Sequence, residues 1–170
     1  YSAEPQLMAC IYISIGSNIN RSYHIQAAVS ALTQHFGPLT LSSVYESEAV
    51  GFTGNAFYNM VAAADTALSI ADCISVFKQI EDDYGRDRSA AKFSGRTLDL
   101  DLLTYDQVIC QQPVQLPRAE ITENAFVLWP MAELAADTVH PLTRLSYAEL
   151  WQAYPKTKQK IWPVPFTWSE

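Results

Sequence analysis

Two stretches of the chain carry apolar residues at three- and four-residue spacing, and each lies between short runs rich in β-branched and aromatic residues. The first, over residues 22–36, puts Ile25, Ala28, Val29, Leu32 and Phe36 on one face and stops at Gly37-Pro38. The second, over residues 69–84, lines up Ile70, Cys73, Ile74, Phe77 and Ile80 and ends at Gly85. A helix with an apolar stripe must bury it against another layer. Strands expected over residues 10–15, 39–47, 57–64 and 97–105 supply that layer, with 108–110 returning beside the last. Two βαβ-like passes joined by hairpins predict an α+β, ferredoxin-like fold, an antiparallel-rich sheet with helices packed on it. Residues 125–134 read as a short helix interrupted by Pro130, and residues 146–154 as another closed by Pro155. The tail aromatics Trp162, Phe166 and Trp168 are expected to pack against the sheet.

At 170 residues, 49% of them apolar, the chain suits one hydrophobic core. Residues 8–170 are expected to form one domain, preceded by residues 1–7 as an appended or disordered leader before a start at Met8. A formal net charge of −7 argues against nucleic-acid binding, and no apolar run is long enough to cross a bilayer. Cys10, Cys73 and Cys110 are widely separated and form no Cys-x-x-Cys pair, which fits buried, reduced thiols in a cytoplasmic protein. His24, His35 and His140 lack metal-ligand spacing, so no chemistry is assigned to them.

The segment from Gly85 to Asp106, GRDRSAAKFSGRTLDLDLLTYD, concentrates the chemistry. Asp99 and Asp101 are two residues apart in a strand, so they project from one face roughly 6.6 Å apart along the chain, while Leu98, Leu100 and Leu102 point the other way. An isolated Asp-Leu-Asp is ordinarily a half-exposed strand showing carboxylates to water. Here Arg86, Arg88, Lys92, Arg96 and Arg118 gather nearby in an otherwise acidic chain. Two carboxylates on a rigid face suit Mg²⁺, and clustered guanidinium groups suit a polyphosphate. Residues 86–95 show no periodicity and read as a mobile loop able to close over such a group. Together these features point to transfer of a phosphate-containing group from a magnesium nucleotide.

The opening YISIGSN, then SSVYESEAVG, FYNMV, GRDR, RTLDLDLL and NAFVLWPMAEL occur in an order that resembles the 6-hydroxymethyl-7,8-dihydropterin pyrophosphokinase family of folate biosynthesis. The resemblance spans nearly the whole chain and implies transfer of diphosphate from ATP to the hydroxymethyl group of a reduced pterin, releasing AMP, with two Mg²⁺ ions. It makes Asp99 and Asp101 the metal ligands and puts Arg86 and Arg96 on the transferring phosphates. Lys78, Glu81, Arg88 and Arg118 fall on the nucleotide side. The pterin is implied between Phe57 and Phe126, with Asn59 and the backbone of Ala49, Val50 and Gly51 reading its polar edge and Phe93 also among its binding residues. Read on their own, Phe57 and Phe126 are core residues, whereas an amide inside a strand, as at Asn59, needs partners.

Several positions depart from the family pattern, mostly on the nucleotide side. Lys78 stands where Gln is common, Arg118-Ala119 where His and an aromatic follow Pro117, Asn124 where Arg precedes FVLWP, Phe93 where Trp is usual, and Ser94-Gly95 for Gly-Pro. The leading reading is a monomeric enzyme whose partners are a reduced pterin and ATP. A second is a pterin-binding paralogue with reduced or altered transferase activity, acting as a sensor or interaction protein. A third is a nucleotide-binding regulatory domain without pterin specificity.

Overall fold

A computed structural model describes residues 7–47, 56–85 and 97–168. Strand β1 (Ala9–Ser17) places Ile11, Ile13 and Ile15 on one side, all fully buried. Burying each contributes about 1.5–3 kcal/mol. They meet helix α1 (Arg21–Phe36), whose buried Ile25, Ala28, Leu32 and Phe36 are the predicted stripe. Gly37 ends it at φ 77°, a conformation that costs glycine little, and its N–H donates to Thr33 at 2.8 Å.

The chain returns through β2 (Thr40–Leu41), β3 (Val44–Ser47) and β4 (Phe57–Thr66). Helix α2 (Ile70–Asp83) follows, opened by Ser69, whose hydroxyl accepts from the Asp72 N–H at 3.2 Å. Its Cys73, Phe77 and Ile80 join the α1 core. Strand β5 (Asp99–Tyr105) then pairs with β1, and β6 (Ile161–Val164) adds to the far edge. The strand order is β5-β1-β4-β3-β6, with β2 also pairing to β4 and every pairing antiparallel. Leaving aside β2 and β6, the β1-α1-β3-β4-α2-β5 path is the expected ferredoxin-like arrangement.

Helices α3 (Glu120–Glu123), α4 (Ala125–Leu134) and α5 (Tyr147–Ala153) build a second core on the opposite face, around Val61, Leu103, Leu128, Met131 and Tyr147. Helix α4 is fastened to the β3 end by Glu133, which accepts from the Ser43 N–H at 3.0 Å, its hydroxyl at 2.9 Å and the Tyr45 hydroxyl at 2.6 Å. Helix α5 opens with a reciprocal Ser146–Glu149 capping box.

Three expectations need correction. Residues 108–110 do not return as a strand beside β5: Cys110 exchanges two backbone bonds with Leu116, each 3.0 Å, closing a turn of its own. Pro130 does not interrupt α4, which runs through it; the ring removes only the N–H that would have bonded to Phe126 one turn earlier, and the helix is held by its buried contacts. The tail does more than pack, because β6 extends the sheet even with Pro163 in it, as an edge strand permits. Phe166 packs edge-on against Tyr58 at 5.9 Å, while Trp162 and Trp168 stay partly exposed. Of the thiols, Cys73 is buried while Cys10 and Cys110 are partly so; all three are free. No helix among the described residues is long and apolar enough to cross a membrane.

Candidate active site

The alternation of β5 divides it as its sequence predicts. Leu98, Leu100 and Leu102 are buried in the α1–α2 core, and Asp99 and Asp101 occupy the other face, partly accessible. Register places Asp99 opposite Gly16 and Asp101 opposite Ser14 on β1. Gly16 in turn faces Asn59 on β4, and Asn59 faces Tyr45 on β3. Asp99 and Asn59 therefore lie in one row on one face, two strands or roughly 10 Å apart.

Along that row the sheet is shaped for side chains. A Cβ at Gly16 would come within 3.0 Å of the Asn59 Oδ1, so only the absence of a side chain there gives the amide its room. Asn59 is buried and donates through Nδ2 to the Ser47 hydroxyl at 3.0 Å, the partner an amide within a strand requires. Phe57, two residues back along β4, shares its face, and Phe126 lies in the first turn of α4 over the same side. Both rings are half-buried; Phe126 packs at the margin of the second core. Asn124, just before α4, accepts from Gln159, whose own side-chain oxygen accepts the Ala125 N–H at 2.7 Å; the helix start is thus capped from the C-terminal segment.

Against the outer edge of β5 lies an open cavity of about 290 Å³. Its walls bring together Lys78 and Glu81 from α2, Asp99 and Asp101 from β5, and Arg118. Residues assigned to metal and nucleotide from the sequence thus share one space. Pro113 and Val114 add to the wall; they lie within the Cys110–Leu116 turn and carry no chemical signal in the sequence.

Two interactions hold the edge. Glu81 is buried, and its Oε2 accepts the Leu100 N–H at 2.8 Å, occupying a donor on the edge strand β5. Arg118 is set by its own N–H, which donates to the Leu103 carbonyl at 2.9 Å. Leu103 is the extra residue of a β-bulge, since Tyr12 pairs with Thr104 but Ile13 with Leu102. The Arg118 guanidinium then reaches two carboxylates: Nη2 lies 3.1 Å from Asp101 Oδ1, and Nε donates to Glu120 at 2.9 Å. Glu120 went unnoticed in the sequence, where an acidic residue two positions after an arginine carries little signal.

Withdrawal from water pushes the Asp101 carboxyl up to about 6; Arg118 opposes the shift, and the negative charges of Asp99, Glu81 and Glu120 add to it. The carboxylates of Asp99, Asp101 and Glu81 lining one cavity are charge that a cation relieves. The donor set fits Mg²⁺: two carboxylates on one rigid face, hard oxygen donors, with a guanidinium already standing as cation beside one of them. Among the described residues no group of three His, Cys, Asp or Glu side chains gathers as a metal cage. Ala49, Val50, Gly51, Arg86, Arg88, Phe93 and Arg96 lie outside the described residues.

Comparison with known proteins gives a consistent result. The family model described as 7,8-dihydro-6-hydroxymethylpterin-pyrophosphokinase matches residues 12–136. The chain is 33% identical over 141 residues to the 2-amino-4-hydroxy-6-hydroxymethyldihydropteridine pyrophosphokinase of Aquifex aeolicus, covering 81% of this chain and 87% of the relative. It is 33% identical over 143 residues to the enzyme of that name from Haemophilus influenzae, covering 81% and 89%. Similarity to the folic acid synthesis protein fol1 of Pneumocystis carinii, 33% over 146 residues, covers 84% of this chain and only 20% of that protein. Among solved structures, the Plasmodium falciparum HPPK-DHPS wild type with pterin and p-hydroxybenzoate superposes with a TM-score of 0.72 at 12% identity, over 91% of this chain and 44% of that one.

Proposed function

The chain belongs to the 7,8-dihydro-6-hydroxymethylpterin-pyrophosphokinase family, and from that membership we propose how its described residues divide the transfer of diphosphate from ATP to 6-hydroxymethyl-7,8-dihydropterin in folate synthesis. The β5 edge cavity receives the triphosphate, and the Phe57–Asn59–Phe126 face receives the pterin. The observation that carries this division is the convergence of Lys78, Asp99, Asp101 and Arg118 on one cavity, in register with Asn59 across Gly16.

In the reaction the pterin hydroxymethyl oxygen forms a bond to the β-phosphorus while the bond from that phosphorus to the α,β-bridging oxygen breaks, and AMP leaves with that oxygen. Phosphoryl chemistry of this kind asks the protein mainly for positioning and charge neutralisation. Asp99 and Asp101 would hold Mg²⁺, which would supply neutralisation of the phosphate charge. Lys78 and Arg118 supply positive charge along the cavity wall, Arg as a planar fork and Lys as a point charge. Glu81 keeps the Asp-bearing strand in place through Leu100. The flat pterin stacks on aromatic faces, and the Asn59 amide, oriented by Ser47, both donates to and accepts from its polar edge. Arg86 and Arg96 act on the transferring diphosphate, Arg88 on the nucleotide, and Ala49, Val50, Gly51 and Phe93 on the pterin; these roles rest on the sequence resemblance.

The direct test is incubation with magnesium-ATP and 6-hydroxymethyl-7,8-dihydropterin, followed by chromatographic detection of AMP and the pterin diphosphate in equal amounts. AMP without pterin diphosphate, or neither product, overturns the assignment.

A further inference from the structure

We propose that Arg118 is a built-in counter-ion for Asp101 that yields its place to the metal only when a triphosphate arrives, so that metal and nucleotide binding are positively coupled through this one side chain. The proposal rests on the reading above, in which Asp101 ligates Mg²⁺ and the cavity takes a triphosphate.

The geometry supplies both halves of the exchange. Nη2 of Arg118 sits 3.1 Å from Asp101 Oδ1, on a carboxylate a metal would need. Guanidinium and divalent cation repel one another and compete for the same negative charge, so a metal ion entering alone must displace a contact already made. Asp99, Asp101 and Glu81 line the same cavity, and Glu120 holds Nε of Arg118 at 2.9 Å. A triphosphate entering alone finds the Arg118 guanidinium already engaged by Asp101 and Glu120. Entering together, the metal takes the carboxylates and the phosphates take the guanidinium, which binds them bidentately.

Arg118 is built to move without leaving. Its backbone is tied to Leu103 and its Nε to Glu120, while the side chain lines the cavity. Rotation about the terminal torsions swings the fork from Asp101 toward the cavity with those anchors near where they are. Both partners of the Asp101 pair are partly exposed, with side-chain exposures of 28% and 46%, so the contact is weak enough to exchange. Linkage then requires that nucleotide raise metal affinity by the same factor as metal raises nucleotide affinity.

The test compares the parent with R118Q and R118K. Mn²⁺ alone is titrated through loss of its free electron-spin-resonance signal, and α,β-methylene ATP, whose bridging carbon blocks transfer, is titrated calorimetrically at saturating Mg²⁺. R118Q should bind Mn²⁺ alone about two- to fivefold more tightly than the parent, the amount an exposed ion pair can withhold. It should bind the analogue about tenfold more weakly, and R118K, which keeps the charge, should stay close to the parent for Mn²⁺ alone. Equal or weaker Mn²⁺ binding by R118Q overturns the counter-ion role. Tighter Mn²⁺ with unchanged analogue binding overturns the transfer of the guanidinium to phosphate. Absence of Mn²⁺ binding by every protein, including the parent, sinks the metal-site reading itself and the proposal with it.

Discussion

Gly16 lies directly beneath the side chain of Asn59: a methyl group at position 16 would come within 3.0 Å of Oδ1, and the Ser47 hydrogen bond leaves the amide little freedom to retreat. The same glycine faces Asp99 on its other flank. One missing side chain thus keeps open the strip between the strand that carries Asp99 and Asp101 and the Asn59 amide.

Replacing Gly16 by Ala is therefore expected to displace the Asn59 amide while leaving the fold intact, at a cost of about 1–3 kcal/mol in stability from overpacking. Pterin affinity should fall more than triphosphate affinity. Calorimetry with each ligand separately measures the difference, and equal losses would remove Asn59 from the pterin site.

Asp99→Asn and Asp101→Asn should each lower turnover roughly a hundredfold or more, the scale of one lost electrostatic contact in the transition state. Folding should survive both. For Asp101 the sign of the pH effect can be worked out: its carboxyl titrates at about 6 in the folded protein, above its ordinary 3.8. The folded state then holds its proton more tightly than the unfolded chain, so this group's contribution to stability falls as pH rises from about 4 to about 6. Without metal, Asp101→Asn should flatten that part of a melting-temperature profile. With Mg²⁺ present, the parent should gain most above pH 6, where the carboxylate is ionised. A profile unchanged by the substitution would show that Asp101 is not the group titrating there.

Glu81→Ala should leave the Leu100 N–H without its acceptor at the sheet edge and destabilise the protein by about 1–3 kcal/mol. Glu81→Gln keeps an acceptor oxygen and should recover most of that. Chemical denaturation of both variants checks it. If Gln instead abolished triphosphate binding at full stability, the carboxylate's main role would be in ligand binding and not in supporting β5.

His140 is buried, and its Nδ1 accepts the N–H groups of Thr143 at 3.1 Å and Leu142 at 3.3 Å. Burial holds its pKa below the ordinary 6.5, so the folded protein resists a proton that the unfolded chain accepts. Stability conferred by the neutral ring is complete above pH 6.5 and is lost as pH falls below it. His140→Asn, which retains an acceptor, should weaken the acid sensitivity between pH 5 and pH 6.5. Thermal melts across that range, parent against variant, give the answer, and identical slopes would exclude His140.

Much of this architecture was legible without coordinates because its causes are local. The apolar stripes of α1 and α2, the stops at Gly37 and Gly85, and the alternation that turns Asp99 and Asp101 away from three leucines all follow from periods of 3.6 and 2 acting on neighbouring residues. The β-bulge at Leu103, the closed turn from Cys110 to Leu116, and the addition of β6 to the β3 edge were not legible, because each depends on which distant segment arrives to satisfy a backbone group.

The site divides in the same way. Spacing along the chain determined by itself that two carboxylates share a strand face, and residue type marked position 118 as a basic, phosphate-suited side chain. Only the tertiary structure decided that Glu81 is occupied with Leu100, that Gly16 makes room for Asn59, and that Arg118 stands on Asp101 with Glu120 holding its other side. Periodicity fixes the direction of a side chain relative to its own backbone, whereas its partners are set by sheet register and loop closure between residues far apart in sequence.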